Sequence, residues 1–159
     1  MPSYTVRPAT QRDAQAVADI HASAGAAVPA ETGVAFWRDA IEYGEPQVQV
    51  VLDGGQIVGF AGFDRSRDKG SKPTVGEIWS ICVIPGHWGK GAGLALWDAV
   101  REGLLEEGCT QVMAWLPLSS ERALRFLELA GFKREMSSIK TVPMGGVKIE
   151  EIRLRRALS

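Results

Sequence analysis

Cysteine is scarce in this sequence: Cys82 and Cys109 are the only two among 159 residues. That scarcity excludes a disulfide framework, and with no metal-ligand spacing around either residue no metal is expected. Such cysteine usage fits a reducing, cytoplasmic setting. Neither sign of charge is in excess, since 18 Lys and Arg face 19 Asp and Glu for a formal charge of −1. Nothing electrostatic therefore points to nucleic acid or an anionic membrane as a partner. Long apolar runs are missing too. The longest, IWSICVI at 78–84, is far short of a membrane span, and MPSYTVRPAT has no basic segment leading into an apolar one. No repeat or linker interrupts the chain, so a single domain over 1–159 is expected, burying roughly two-thirds of the surface its unfolded chain exposes. With 45% hydrophobic and 23% charged residues the composition is globular rather than disordered or fibrous, and the expected partner is a small molecule.

Spacing and punctuation give the elements. YTVRP alternates and stops at Pro8, a short strand. Thr10 and Asp13 form a capping box, after which Ala14, Val17, Ile20 and Ala24 recur at helical spacing, predicting a helix over about 11–24. The small-residue loop GAAVPAE separates it from a second helix that starts at Thr32 and carries Phe36, Trp37, Ala40 and Ile41. QVQVVL at 47–52 and QIVGFAGF at 56–63 flank Asp53-Gly54-Gly55 and read as an antiparallel hairpin. RSRDKGSKP at 65–73 reads as a mobile polar loop before a long buried strand, TVGEIWSICVIP, that ends at Pro85. Leu94, Trp97, Val100, Leu104 and Leu105 form the apolar face of a helix stopped by Gly108. QVMAWL at 111–116 is a strand, Ser120 caps a helix to Ala130, and two last strands flank Pro143-Met144-Gly145-Gly146. A meander followed by a βαβ crossover over 75–116 requires one parallel pair, so the fold class is mixed α/β.

WGKGAG at 88–93 stands between the buried strand and the first turn of the amphipathic helix, where backbone N–H groups lack helical partners and anions bind. Glycines at 89, 91 and 93 allow a tight turn and close approach of phosphate oxygens, which makes a pyrophosphate the natural ligand. Taken alone, the glycines fit a plain strand-to-helix turn equally well. The absence of G-K-[ST] argues against an ATP loop. Leu94 at the third-glycine position counted from Gly91, and the lack of an acidic residue after Trp115-Leu116-Pro117, argue against a dinucleotide.

Read in order, VRPAT with Asp13, GEIWSICV, VIPGHWGKGAG, AWL and ERALRFLELAGF resemble the GNAT acetyltransferase superfamily, whose core motif is a strand, V-x-P and [RQ]-x-x-G-x-[GA] opening a helix. The resemblance covers nearly the whole chain. It implies a GNAT-like fold, a central mixed, mostly antiparallel sheet of about seven strands whose fourth and fifth are parallel and splayed, flanked by about four helices. It also implies acetyl-CoA as acyl-donor cosubstrate and N-acetyl transfer to a primary amine of a small molecule or amino-acid-like acceptor, by direct attack in a ternary complex. On this resemblance the backbone of Trp88, Gly89, Lys90, Gly91, Ala92 and Gly93 would cradle the pyrophosphate. The strand edge at Ile81, Cys82 and Val83 would pair with the pantetheine amides. Ser120 stands where the family carries Asn and would join them beside its capping role. Homodimer formation is left open, and no nucleic acid or membrane partner is expected.

Two positions depart from the family. Trp88 replaces Arg or Gln, which removes a charged contact but leaves the backbone donors. Lys90 and His87 are the candidates to compensate, and ordinary loop residues otherwise. Leu127 replaces the Tyr that protonates the thiolate in many relatives, so that proton is left to water or to Ser119 or Ser120. These departures also admit a catalytically weak acyl-CoA-binding or sensing module.

Amine acetylation needs a base, an oxyanion donor and an acid. Glu77 lies six residues before Val83, where some of the family place a general-base carboxylate. Alternation would put it on the side of Trp79, Ile81 and Val83, an apolar setting that disfavours charge; pairing with a nearby cation is the alternative. A backbone N–H near Val83 is the oxyanion candidate. Cys82, with no base beside it, reads as packing rather than as an acetylated nucleophile. His21 is within reach of an acceptor cleft or else structural. Trp97 and Trp115 read as packing, Trp79 as core or acceptor wall, and GAAVPAE, Trp79 and the PMGG turn are the expected sources of acceptor choice.

Overall fold

The computed structural model describes residues 3–23, 33–144 and 146–158. The GAAVPAE loop and Gly145 of the PMGG turn lie outside the described residues. Chain order gives β1 (Tyr4–Pro8), α1 (Ala14–Ser23), α2 (Val34–Tyr43), β2 (Gln47–Asp53), β3 (Gln56–Arg65), β4 (Val75–Val83), α3 (Ala92–Glu106), β5 (Gln111–Pro117), α4 (Glu121–Leu129), β6 (Lys133–Met144) and β7 (Val147–Ala157). The strands form one seven-stranded sheet in the order β1-β2-β3-β4-β5-β7-β6, antiparallel except for β4 with β5. The mixed sheet and four helices are as expected.

Helix α1 begins later than its spacing suggests. Asp13 turns back to accept a hydrogen bond from the Thr10 N–H at 2.7 Å and an ion pair from Arg7 at 2.7 Å, so Gln11–Asp13 form a tight 3₁₀ turn before the α-helix. The Arg7 guanidinium, helped by Thr10 and opposed by burial, holds the Asp13 carboxyl below the usual carboxylate range. Along α1 the buried side chains are Ala14, Val17, Ala18 and Ile20, and along α2 Trp37 and Ala40. Both stripes pack with Val50 and Phe60 on one face of the sheet. On the other face Leu96, Trp97, Val100 and Leu104 of α3, with Leu124 and Leu127 of α4, close over Phe63, Ile78, Val112 and Leu154. Trp97 meets Phe132 edge to face at 5.2 Å, in keeping with a packing residue.

The β4–β5 ladder is short: Val75 to Ile78 pair with Gln111 to Ala114, and the rest of β4 has no β5 partner. Against β3, Gly62 faces Ser80 while Phe63 faces Ile78, so Trp79 is one residue too many, a β-bulge. Alternation reverses there. Glu77, Trp79 and Ser80 face a cavity on the α1–α2 side, whereas Ile78, Ile81 and Val83 pack into the α3–α4 core. The expectation that Glu77 shares its side with Ile81 and Val83 is thus overturned by a bulge that leaves no mark in the apolar pattern.

Strand β3 fixes the free end of β4. Gly59 lies opposite Val83, and a Cβ on it would fall 2.6 Å from the Cys82 carbonyl oxygen, a backbone atom that cannot rotate away. Gly59→Ala is therefore expected to cost about 1–3 kcal/mol through overpacking. Denaturant unfolding measures this, and an unchanged midpoint would mean that the two strands separate freely.

Candidate active site

The loop 88–93 takes its shape from two left-handed glycines, Gly89 at φ 71° and Gly91 at φ 99°, a region that side-chain-bearing residues rarely adopt. Gly91 is the N-cap of α3. Among the described residues the first N–H past Trp88 to donate to a backbone carbonyl is that of Ala95, to Gly91 at 3.0 Å. The N–H groups of Gly89, Lys90, Gly91, Ala92, Gly93 and Leu94 have no backbone acceptor, the donor set an anion at a helix N-terminus requires. Gly93 is small for a different reason from the one expected. A Cβ there would stand 3.1 Å from the Phe126 ring, so its missing side chain seats α4 against α3.

Trp88, 43% exposed, donates its indole N–H to the Val83 carbonyl at 2.7 Å. The Arg122 guanidinium, from the first turn of α4, lies 4.0 Å from the centre of the Trp88 ring. A cation thus sits beside the loop although the loop's own arginine is missing, and no local spacing announces it. His87 is tied to the Tyr4 hydroxyl through Nδ1 at 2.9 Å, and Lys90 is exposed. Ser120 occupies the N-cap of α4, but its hydroxyl makes no capping hydrogen bond. Leu127 is buried in the core.

A cavity of about 470 Å³ opens on the other side of β4, lined by His21 of α1, Phe36 and Trp37 of α2, and Glu77, Trp79 and Ser80 of β4. Arg67, Asp68, Trp115, Lys140 and Glu151 complete it. Glu77 is 1% exposed and paired with Arg67, which donates from its backbone N–H at 2.9 Å, from Nε at 3.3 Å and from Nη2 at 2.6 Å. Arg67 also stacks 3.8 Å over Trp79. Asp68 accepts from the Trp115 indole and from Arg153, both at 2.8 Å. Burial raises the proton affinity of Asp68, and these two donors together with the charges of Arg153 and Lys140 more than reverse it, holding its carboxyl below the usual range. The segment expected to be a mobile loop is therefore anchored, and two of its charged residues, Arg67 and Asp68, form a wall of the cavity.

Trp115 corrects the packing assignment: it lines the cavity, with Lys140 lying 3.9 Å from its ring centre. His21 meets Trp37 and Phe60 edge to face at 5.4 and 6.1 Å, and burial lowers its pKa. Half-buried Glu151 is pushed up by burial and by the charge of Glu77, against the pull of Lys140 and Arg67. Burial likewise pushes the Cys82 thiol up, against the weaker pull of its hydrogen bond with Ser80, which leaves it poorly suited to act as a thiolate. Among the described residues no group of His, Cys, Asp and Glu is placed to hold a metal, and no helix is long and apolar enough to cross a membrane.

A splayed strand leads into a loop of N–H groups without backbone acceptors, inside a sheet of this order, and the match to a known family falls on this frame. Residues 14–132 match the model of the Acetyltransferase (GNAT) family, and the chain belongs to that family. The mycothiol acetyltransferase of Kocuria rhizophila is 30% identical over 82 residues, a stretch that spans 52% of this chain but 27% of that protein. Two of the solved structures that share the fold show how far the likeness extends. One is yncA of Salmonella typhimurium, described as an acetyltransferase with its cofactor acetyl-CoA, with a TM-score of 0.77 and 21% identity over 98% of this chain and 94% of that one. The other is an N-acetyltransferase of Staphylococcus aureus Mu50, with a TM-score of 0.81 and 18% identity over 99% of both chains.

Gly91→Val tests the loop. A β-branched side chain at φ 99° forces the backbone to another conformation and swings the N–H groups away. Coenzyme A binding, followed by calorimetric titration of the folded variant, is expected to weaken about tenfold or more. Unchanged affinity would place the pyrophosphate elsewhere.

Proposed function

We propose that the protein is an acetyl-CoA-dependent N-acetyltransferase acting on a primary amine of a small or amino-acid-like molecule, by direct attack within a ternary complex. One observation carries the reading: β4 bears Glu77, Trp79 and Ser80 of the cavity along its length and runs at its far end into the anion-cradling loop. A donor held by the loop and an acceptor held in the cavity thus meet along a single strand. The donor supplies an activated thioester.

The backbone N–H groups of Gly89 to Gly93 hold the pyrophosphate, with Arg122 as the nearby cation. The unpaired edge at Ile81, Cys82 and Val83 offers peptide groups to the pantetheine amides, and Ser120 lies at the α4 end of the same region. Glu77 takes the proton of the acceptor ammonium, through water, because Arg67 already occupies both of its oxygens. Negative charge developing on the carbonyl oxygen is met by a backbone N–H near Val83. The thiolate takes its proton from water or from the Ser119 or Ser120 hydroxyl, since Leu127 has none to give. The raised Cys82 thiol favours this direct route over an acetyl-cysteine. The absent Tyr supports a second reading, a catalytically weak acyl-CoA binder, which requires acetyl-CoA binding without thiol release across a panel of amines.

Glu77→Gln keeps the shape and removes the basic carboxylate. Turnover at neutral pH is expected to fall on the order of 10²-fold while acetyl-CoA affinity is kept, with a smaller deficit at high pH where the amine is already neutral. A loss equal at every pH would assign Glu77 to structure, and undiminished activity would leave solvent as the base.

A further inference from the structure

Three of the five charged side chains that line the cavity are ion-paired: Arg67 with Glu77, and Asp68 with Arg153, which is not itself in the lining. Two are not. Among the described residues neither Lys140 nor Glu151 makes a hydrogen bond or an ion pair within 4 Å, although they face one another across β6 and β7 and line the same cavity. Opposite charges at directly opposed strand positions ordinarily join. Here the Lys140 ammonium is held aside, 3.9 Å from the Trp115 ring centre, while Glu151 keeps the face of β7 that also carries Arg153. A cation and an anion therefore stand at the edge of an aromatic cavity without a salt bridge, the exposed Lys140 on the Trp115 ring and Glu151 within reach of its charge.

A second observation concerns the opposite wall. Trp37 Nε1, Trp79 Nε1 and His21 Nδ1 are buried without a hydrogen-bond partner, and Trp37 is 2% exposed. Buried polar atoms are nearly always paired, and an indole N–H can only donate. A ligand that packs on this wall gains apolar and aromatic surface from Phe36, Trp79 and Trp115, and polar atoms on it find indole N–H donors only if the wall yields to it.

Resting on the acetyltransferase reading above, we propose that Lys140 and Glu151 select a zwitterionic acceptor, an aminocarboxylate with an apolar or aromatic side chain. Its carboxylate lies at Lys140, its ammonium is drawn in by Glu151 and passes its proton to Glu77, and its side chain lies against the tryptophans. A free amine without the carboxylate leaves the exposed Lys140 to water and the Trp115 ring, and a polypeptide amino terminus offers no carboxylate at that distance. The charged groups around Glu151 are Lys140, Arg67 and Glu77, so its part does not require a change of its own charge during turnover.

The test measures thiol release from acetyl-CoA with each primary-amine protein amino acid and with the amine obtained by removing its carboxylate. For the amino acids with the largest apolar side chains, kcat/KM is expected to exceed that of the matched amine by about tenfold or more, the worth of one charge-assisted contact. Lys140→Met should bring that ratio down toward one, through KM. Glu151→Gln should raise KM for both members of each pair. Amines accepted as well as their amino acids, or a ratio untouched by Lys140→Met, overturns the assignment while acetyl transfer stands. Thiol release with no acceptor of either kind, in a protein that still binds acetyl-CoA, removes the transferase reading and this one with it. Binding of the best amino acid to the protein saturated with coenzyme A, by calorimetry, gives a readout independent of turnover. It should weaken in both variants, and equal binding to all three proteins overturns the proposal.

Discussion

Side-chain alternation along β4 is broken once, at Trp79, and the arrangement of the site depends on that break. A bulge adds a residue to one strand, bends it and reverses which face each later side chain takes. Ile78, before the bulge, and Ile81 and Val83, after it, are thereby all turned into the α3–α4 core, while Glu77, Trp79 and Ser80 turn to the cavity. The bulge falls next to Ile78, the last residue of β4 to pair with β5. Beyond it the two strands part, and the freed peptide groups of β4 become available to a ligand. Without the extra residue, Glu77 and Ile81 would share a face, and one of them would sit in the wrong environment.

The anion loop rests on backbone rather than on side chains. Its donors are peptide N–H groups aimed by two left-handed glycines, which explains how a tryptophan can replace the usual arginine or glutamine without dismantling the site. The indole N–H of Trp88 takes the Val83 carbonyl, and its ring becomes a platform for Arg122. Charge reaches the region from a different helix, at the end of a stacked pair.

In the cavity the ion pairs act by position more than by stability. Arg67 is half-exposed, and pairs of that kind contribute little to folding. What they do is fix Glu77, Trp79 and Trp115 relative to one another. Arg67 links Glu77 to the Trp79 ring, and Asp68 links the Trp115 indole to Arg153. A polar segment, RSRDKGSKP, which composition alone marks as free, becomes a wall because Arg67 and Asp68 each find a partner on the sheet.

Local physics was legible in the sequence. Helical spacing, capping residues, glycine stops and the run from β4 into α3 each lie within a window of a few residues, and their hydrogen bonds close within that window, so the element order, the mixed sheet and the glycine loop could be read directly. Even there the details of Gly93 and the start of α1 were decided by distant groups, Phe126 and Arg7. The cavity was legible only in Glu77, Trp79 and, as an alternative, His21. Arg67, Asp68, Trp115, Lys140 and Glu151 meet it through the strand register, and the Asp68–Arg153 contact joins residues 85 positions apart. A one-residue bulge costs the apolar pattern nothing while reversing every later side chain. The sequence by itself determined which elements form and where a loop of unpartnered N–H groups lies, because those follow from neighbouring backbone groups. Which charges face the cavity was decided only by the tertiary structure, because that depends on how seven strands are brought into register.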